Sequence, residues 1–197
     1  MSLRERIIHE SLRLFSLKGF LSTSINDILQ AASTSKGGFY NHFASKEELF
    51  FAVLDEARGI WRERCLAGLD EIESPTGKIR KLLENYRDRY LKDTENFPGG
   101  CIFVTFSVEL PDQRPRLAKE VNKGFIGLKA MIKRLLDEGQ ESGELSDSAS
   151  TSAIAEMLFA GMLGSSVIYG VDKSAVSLDR AINSLIGYLE ELKPYPE

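Results

Sequence analysis

The sequence predicts an all-α protein, and three observations carry that prediction. Apolar residues recur at helical spacing along most of the chain, polar caps and glycines punctuate these runs, and only one segment, "CIFVTFSVEL", reads locally as a buried strand. No second segment offers it a strand partner, so helix is the expectation there too. About nine helices are expected over the 197 residues, divided into an N-terminal three-helix domain at 1–46 and a larger helical domain at 47–197.

The elements follow in order. Ile7, Ile8, Ser11, Leu12, Leu14 and Phe15 form the stripe of a first helix over 3–18, closed by Lys18-Gly19. Thr23 or Ser24 caps a short second helix bearing Ile25, Ile28 and Leu29, with Asp27 in its first turn complementing the helix dipole. Ser35 opens a third helix that should reach about Phe43, and Ser45 with Glu48 forms a capping box for a fourth that should reach about Leu69. Beyond Ser74-Pro75, Ile79, Leu82, Leu83, Tyr86 and Tyr90 keep the helical period until "NFPGG" breaks it. Helices are expected at 116–142, 148–171 and 177–192, and the tail "KPYPE" should be loose.

Composition excludes several classes. Hydrophobic residues at 43% and charged residues at 27% are those of a globular protein, and no apolar run is expected to approach the roughly 20 residues that span a bilayer. The N-terminus is an amphipathic helix, not a secretion signal, which makes the cytoplasm the expected compartment. Cys65 and Cys101 fit no metal-ligand spacing and are expected as free thiols; neither metal nor cofactor is expected. There is no glycine-rich phosphate loop, and both histidines, His9 and His42, lie in the first 46 residues. No catalytic constellation emerges, so an enzyme is not expected.

Charge is uneven. The first 46 residues hold Arg4, Arg6, Arg13, Lys18, Lys36 and Lys46 against Glu5, Glu10 and Asp27, an excess of three positive charges in a chain of formal charge −4. A basic head on an acidic body suits an electrostatic footprint at one end. Three helices in the first 45 residues, the last two joined by about four residues, make a helix-turn-helix. Its third helix carries Gly37-Gly38, which costs about 1 kcal/mol of helix propensity per glycine and is rational where a backbone must approach DNA. Lys36, Tyr40, Asn41 and His42 offer donors to phosphates and bases, while Phe39 and Phe43 can face a small core. A helical adapter has no use for Lys36-Gly37-Gly38 ahead of Tyr40.

The stretch "TSINDILQAASTSKGGFYNHFASKEELF" resembles the DNA-binding signature of the TetR (tetracycline repressor) family. Ile28, Ala32, Ser35, Gly37, Tyr40, His42, Phe43, Lys46, Glu47 and Leu49 fall on the family's pattern, and Ser33-Thr34 stands where Gly-Val is usual. A left-handed Ser33 would cost about 1 kcal/mol relative to glycine. The resemblance implies that Thr23 or Ser24, Lys36, Tyr40 and His42 touch double-stranded operator DNA and that Lys46 reaches a phosphate. With Ser35, Gly37, Gly38 and Asn41 these complete the expected contact set.

One helix-turn-helix reads too few base pairs to be selective, so a homodimer on paired half-sites is expected. Gly161, Gly164 and Ser165 are interleaved with apolar residues, and Leu185 and Leu189 belong to the stripe of the last helix; these mark the expected interface, which the resemblance implies is a four-helix bundle. The resemblance also implies a small apolar or aromatic effector. The body's aromatics supply its expected wall, Trp61, Tyr86, Tyr90, Phe103, Phe106, Phe125 and Phe159, although most such rings are core by volume. Cys101 follows Gly99-Gly100 at an expected helix N-terminus, where the dipole favours a thiolate. The body resembles the N-ethylmaleimide-reductase repressor branch of the same family, which implies a second route to release, electrophile sensing at Cys101. The other reading of Cys101 is a small buried packing residue.

Overall fold

The computed structural model describes residues 1–194, and among these it holds nine α-helices and no strand. They are α1 (Leu3–Lys18), α2 (Ile25–Ala31), α3 (Lys36–Tyr40), α4 (Lys46–Cys65), α5 (Pro75–Asn85), α6 (Ile102–Glu109), α7 (Pro115–Glu141), α8 (Thr151–Asp172) and α9 (Ala175–Glu191). The ambiguous "CIFVTFSVEL" is α6. The all-α expectation is therefore met.

The caps explain most boundaries. Ser2 and Glu5 form a reciprocal capping box on α1, which ends at Gly19 with φ 80°. Ser24, not Thr23, caps α2. α4 stops four residues short of the expected end because the Asn85 amide donates to the carbonyls of Cys65 and Ala67, at 3.1 and 2.8 Å, and gathers up the chain there. α5 starts on Ser74 with Pro75 in its first turn and runs into a π-helical turn, Tyr86–Tyr90, whose two tyrosine rings stack at 5.6 Å. Lys173 in the left-handed region, φ 51°, reverses the chain between α8 and α9.

Two compact units result. The first takes Met1–Trp61 with Asp93–Asn122, the second Arg62–Lys92 with Lys123–Glu197. The first is built on an aromatic cluster in which Phe15 meets Phe20 at 5.4 Å and Phe106 at 6.2 Å, and Phe50 meets Phe20 at 5.2 Å and Phe106 at 4.9 Å. The segment before α6 is stitched to α1: the Ser16 hydroxyl donates to the Gly100 carbonyl and accepts from the Gly99 N–H, both at 3.0 Å. In the second unit Ile79, Leu82 and Leu83 of α5, Leu158 and Met162 of α8, and Leu178, Ile182 and Leu189 of α9 are buried. Leu185 lies so close to Gly161 that an added Cβ there would stand 2.5 Å from its methyl group.

One expectation needs correction. Thr151–Asp172 contains an 18-residue stretch of mean hydropathy 1.5, one-third of it buried, and is long and apolar enough to cross a membrane by length and composition, where no such run is expected from the sequence. Glu156 and the Ser165-Ser166 pair interrupt it without lowering its average enough. Here α8 packs along α9, and Glu156 pairs with Lys129 at 2.8 Å.

Gly99 tests the stitch. A Cβ there would overlap the Ser16 carbonyl and lie 2.7 Å from the Leu17 Cα, both backbone atoms that cannot swing aside. Gly99→Ala is expected to destabilise the protein by about 1–3 kcal/mol, the usual cost of overpacking, measured by chemical denaturation.

Candidate nucleic-acid interface and regulatory body

The helix-turn-helix is held by local hydrogen bonds and by anchors from α1. Thr23 is fully buried and its hydroxyl donates to the Gly19 carbonyl at 2.6 Å, which leaves the exposed Ser24 as the outward-facing member of the pair. Asp27 accepts from the Ser24 N–H at 2.7 Å and pairs with Lys18 at 3.3 Å; hydrogen bonds from Ser24 hold its carboxyl below the ordinary range. In the turn, Ser33 takes φ 47°, so the serine that replaces glycine does adopt the left-handed conformation. Arg6 donates from Nε to the Ala32 carbonyl at 2.9 Å and ties α1 to this turn.

α3 is shorter than expected. Ser35 caps it, accepting from the Gly38 N–H at 3.1 Å, but helix ends at Tyr40 and Asn41-His42 forms a turn. The chain turns because Phe43 must point inward, 2% exposed and 5.8 Å from the Phe39 ring, before Ser45 opens α4. Lys36, Gly37, Asn41 and His42 are exposed, and Tyr40 is 51% exposed with its ring edge-on to Phe39. The two glycines have different reasons. A Cβ on Gly37 would meet only the Ser35 hydroxyl, at 3.8 Å, so Gly37 leaves the outer surface low. A Cβ on Gly38 would overlap the Thr34 hydroxyl and lie 3.4 Å from Leu3, so Gly38 lets α3 seat against its own neighbours.

Lys46, partly buried, stands 4.3 Å over the Phe20 ring; burial lowers its ammonium pKa, and the charge of Glu109 opposes that shift. Sequence reasoning missed Arg4, 5.4 Å over the Phe43 ring, and Glu109. A cation at the first turn of α1 was visible in the sequence, but nothing in it signals which ring the cation covers.

The body residues sort by unit. Trp61, Cys101, Phe103 and Phe106 belong to the first, and Tyr86, Tyr90, Phe125 and Phe159 to the second. Phe106 is fully buried in the aromatic cluster already described. Phe125 and Phe159 meet edge-on at 5.3 Å, and the Tyr86 hydroxyl donates to the Met162 carbonyl at 3.2 Å. A cavity of about 300 Å³ in the second unit is lined by Ser74, Thr76, Arg80, Glu84, Glu190 and Lys193 together with Ile72 and others, and holds none of the expected aromatic wall. Cys101 is 7% exposed and caps α6, its carbonyl accepting from the Thr105 N–H at 3.2 Å. Among the described residues no cluster could hold a metal ion.

The expected interface residues also divide. Gly161 and Leu185 face each other within the chain, the Ser165 hydroxyl donates to the Gly161 carbonyl at 2.7 Å, and Leu189 is buried. Gly164 alone looks outward with open space around it. Around it on α8 lie exposed Met157, Val167, Ile168 and Val171, which the sequence reading did not single out although their spacing is helical.

Comparison with known proteins places this geometry. Residues 7–53 match the family model described as bacterial regulatory proteins, tetR family, and residues 75–185 the tetracyclin repressor-like C-terminal domain. Among curated relatives, the transcriptional repressor DhaR of Mycobacterium sp. (strain GP1) is 27% identical over 178 residues, 90% of this chain and 87% of its own. The repressor NemR of Escherichia coli K12 is 27% identical over 188 residues, 91% of this chain and 89% of its own. A TetR transcriptional regulator from Chloroflexus aurantiacus is similar in structure, with TM-score 0.86 and 30% identity, covering 95% of this chain and 93% of its own. A capped, glycine-bearing helix presented by a three-helix head, followed by a helical body that the second model spans, makes the chain a DNA-binding transcriptional regulator, not an enzyme, and it belongs to the TetR family.

Proposed function

We propose that this protein is a ligand-responsive repressor that grips operator DNA as a homodimer through residues 1–46 and answers a small apolar or aromatic effector through residues 47–197. The observation that carries the DNA-binding half is the exposed row Lys36, Gly37, Tyr40, Asn41 and His42 on α3 and the turn that follows it, anchored from beneath by Phe39 and Phe43. Ser24, Ser35 and Lys46 flank that row, Lys46 for a phosphate. Repression is the sign borne in the names of DhaR and NemR. Such a regulator works in the cytoplasm.

Effector recognition falls to the Tyr86–Tyr90 stack and the Phe125–Phe159 pair of the second unit. A π-helical turn is the kind of irregularity that persists where side chains must be aimed, and here it aims two tyrosines. Burial of Cys101 favours a non-covalent effector over an electrophile. Dimerisation falls to the outward apolar face of α8 around Gly164, joined by the exposed Val176 of α9.

Tyr40→Ala and Lys36→Ala are each expected to weaken binding to DNA from upstream of the protein's own gene by about 1–3 kcal/mol at most, with the fold intact by circular dichroism. Wild-type affinity should fall steeply with salt as phosphate neutralisation releases counterions; a flat dependence in fluorescence anisotropy would reject this mode. Gly164→Leu should leave the chain folded, since nothing lies within 4 Å of its Cβ, yet shift sedimentation from dimer toward monomer. A Cys101→Ser variant should still release DNA when an apolar effector is added, as followed by gel shift.

A further inference from the structure

Glu109 ends α6, and its carboxylate is turned back onto the loop between α1 and α2. Oε1 accepts from the Phe20 N–H at 2.7 Å and Oε2 from the Leu21 N–H at 3.1 Å. The approach is so close that Gly19, at φ 80°, has no room for a side chain; an added Cβ would stand 2.5 Å from Oε2. This loop leads through buried Thr23, bonded to the Gly19 carbonyl, directly into Ser24, the cap of α2. Phe20, whose amide Glu109 holds, is also the ring on which the Lys46 ammonium rests at 4.3 Å. Burial depresses the Lys46 pKa, and Glu109 is the largest charge that opposes the depression.

A carboxylate packed against the basic N-terminal segment that must approach phosphates is unfavourable on charge alone. Its presence is explained if it does geometric work. We infer that Glu109 is a positioning residue for DNA binding: it fixes the α1–α2 loop and, through Phe20, the seat of Lys46, so that Ser24 and Lys46 meet the DNA backbone in one arrangement. The inference rests on the DNA-binding reading above and adds to it a residue of α6, outside the helix-turn-helix. Two other roles make opposite forecasts. A bystander charge would repel DNA, so removing it would tighten binding; a bond that serves only local stability would leave affinity below the melting temperature unchanged.

The experiment compares wild type with Glu109→Ala, Glu109→Gln and, as a control on the same helix, Val108→Ala, whose side chain is 78% exposed. Affinity for DNA from upstream of the protein's own gene is read by anisotropy well below the melting temperature. Hydrogen exchange at residues 19–24 is read on the protein alone. Loss of a charge-assisted pair of hydrogen bonds should weaken DNA binding about tenfold in Glu109→Ala and speed exchange at Phe20 and Leu21 by a similar factor. Glu109→Gln, which keeps one acceptor, should fall between, and Val108→Ala should match wild type. Unchanged or tighter DNA binding by Glu109→Ala overturns the inference, as does unchanged exchange at Phe20 and Leu21. If wild type itself bound no DNA, the DNA-binding reading would fail, whereas the exchange measurement would still decide whether Glu109 holds the loop.

Discussion

A five-residue helix containing two glycines has no stability of its own, and everything the head does depends on how α3 is held. Isolated helices shorter than about 12 residues are marginal even in favourable sequences, and the two glycines cost about 2 kcal/mol more. Left-handed Ser33 adds about 1 kcal/mol. Against this, Phe39 and Phe43 are 0% and 2% exposed, and burying two phenylalanines is worth about 3–6 kcal/mol. Tertiary burial therefore wins over local propensity by a small margin. That balance is why α3 can carry polar residues and a glycine on its outer side: the buried rings, with the Ser35 cap, keep it in place.

Such a balance also explains what was legible in the sequence. The caps Ser24, Ser35, Ser45, Ser74 and the stop at Gly19 are local chemistry, and α2, α3, α4 and α5 begin, and α1 ends, where those residues dictate. The early ends of α3 and α4 were not legible, because each is decided by a distant residue: Phe43 turning inward for one, the Asn85 amide collecting two carbonyls for the other. The membrane-length apolarity of α8 was hidden by Glu156 and two serines, since a run is judged by its interruptions and an average is not.

Sidedness was the least legible property of the candidate sites. Thr23 and Ser24 are neighbours of similar chemistry, yet one is sealed inside and one is a cap open to solvent. Gly37 and Gly38 look equivalent, yet one leaves room outward and the other makes room inward. In α8, Gly161 and Gly164 lie three residues apart; the first is filled by Leu185 and the second is empty. Spacing assigns a residue to a helix, but neighbours in sequence point about 100° apart, and even residues three apart, which share a face about 60° apart, can meet different partners, as Gly161 and Gly164 do.

The head's charge balance follows from the same hydrogen bonds that build it. Carboxylates in and beside it are used as caps: Glu5 accepts from the Ser2 N–H at 2.7 Å, Asp27 from the Ser24 N–H at 2.7 Å, Glu48 from the Ala44 N–H at 2.6 Å, and Glu109, from α6, from two loop amides. Each negative charge is thereby set against amide dipoles, at three helix starts and one loop. The backbone hydrogen bond from Ser2 lowers the Glu5 carboxyl, and that from Ser24 lowers Asp27, so both caps are complete above the ordinary carboxylate range and loosen as pH falls through their depressed values. Lys36 is exposed and Lys46 is backed by a ring. The positive excess counted along the first 46 residues is therefore unevenly presented: Glu5 and Asp27 face the backbone they cap, while Arg4 and Lys36 are exposed.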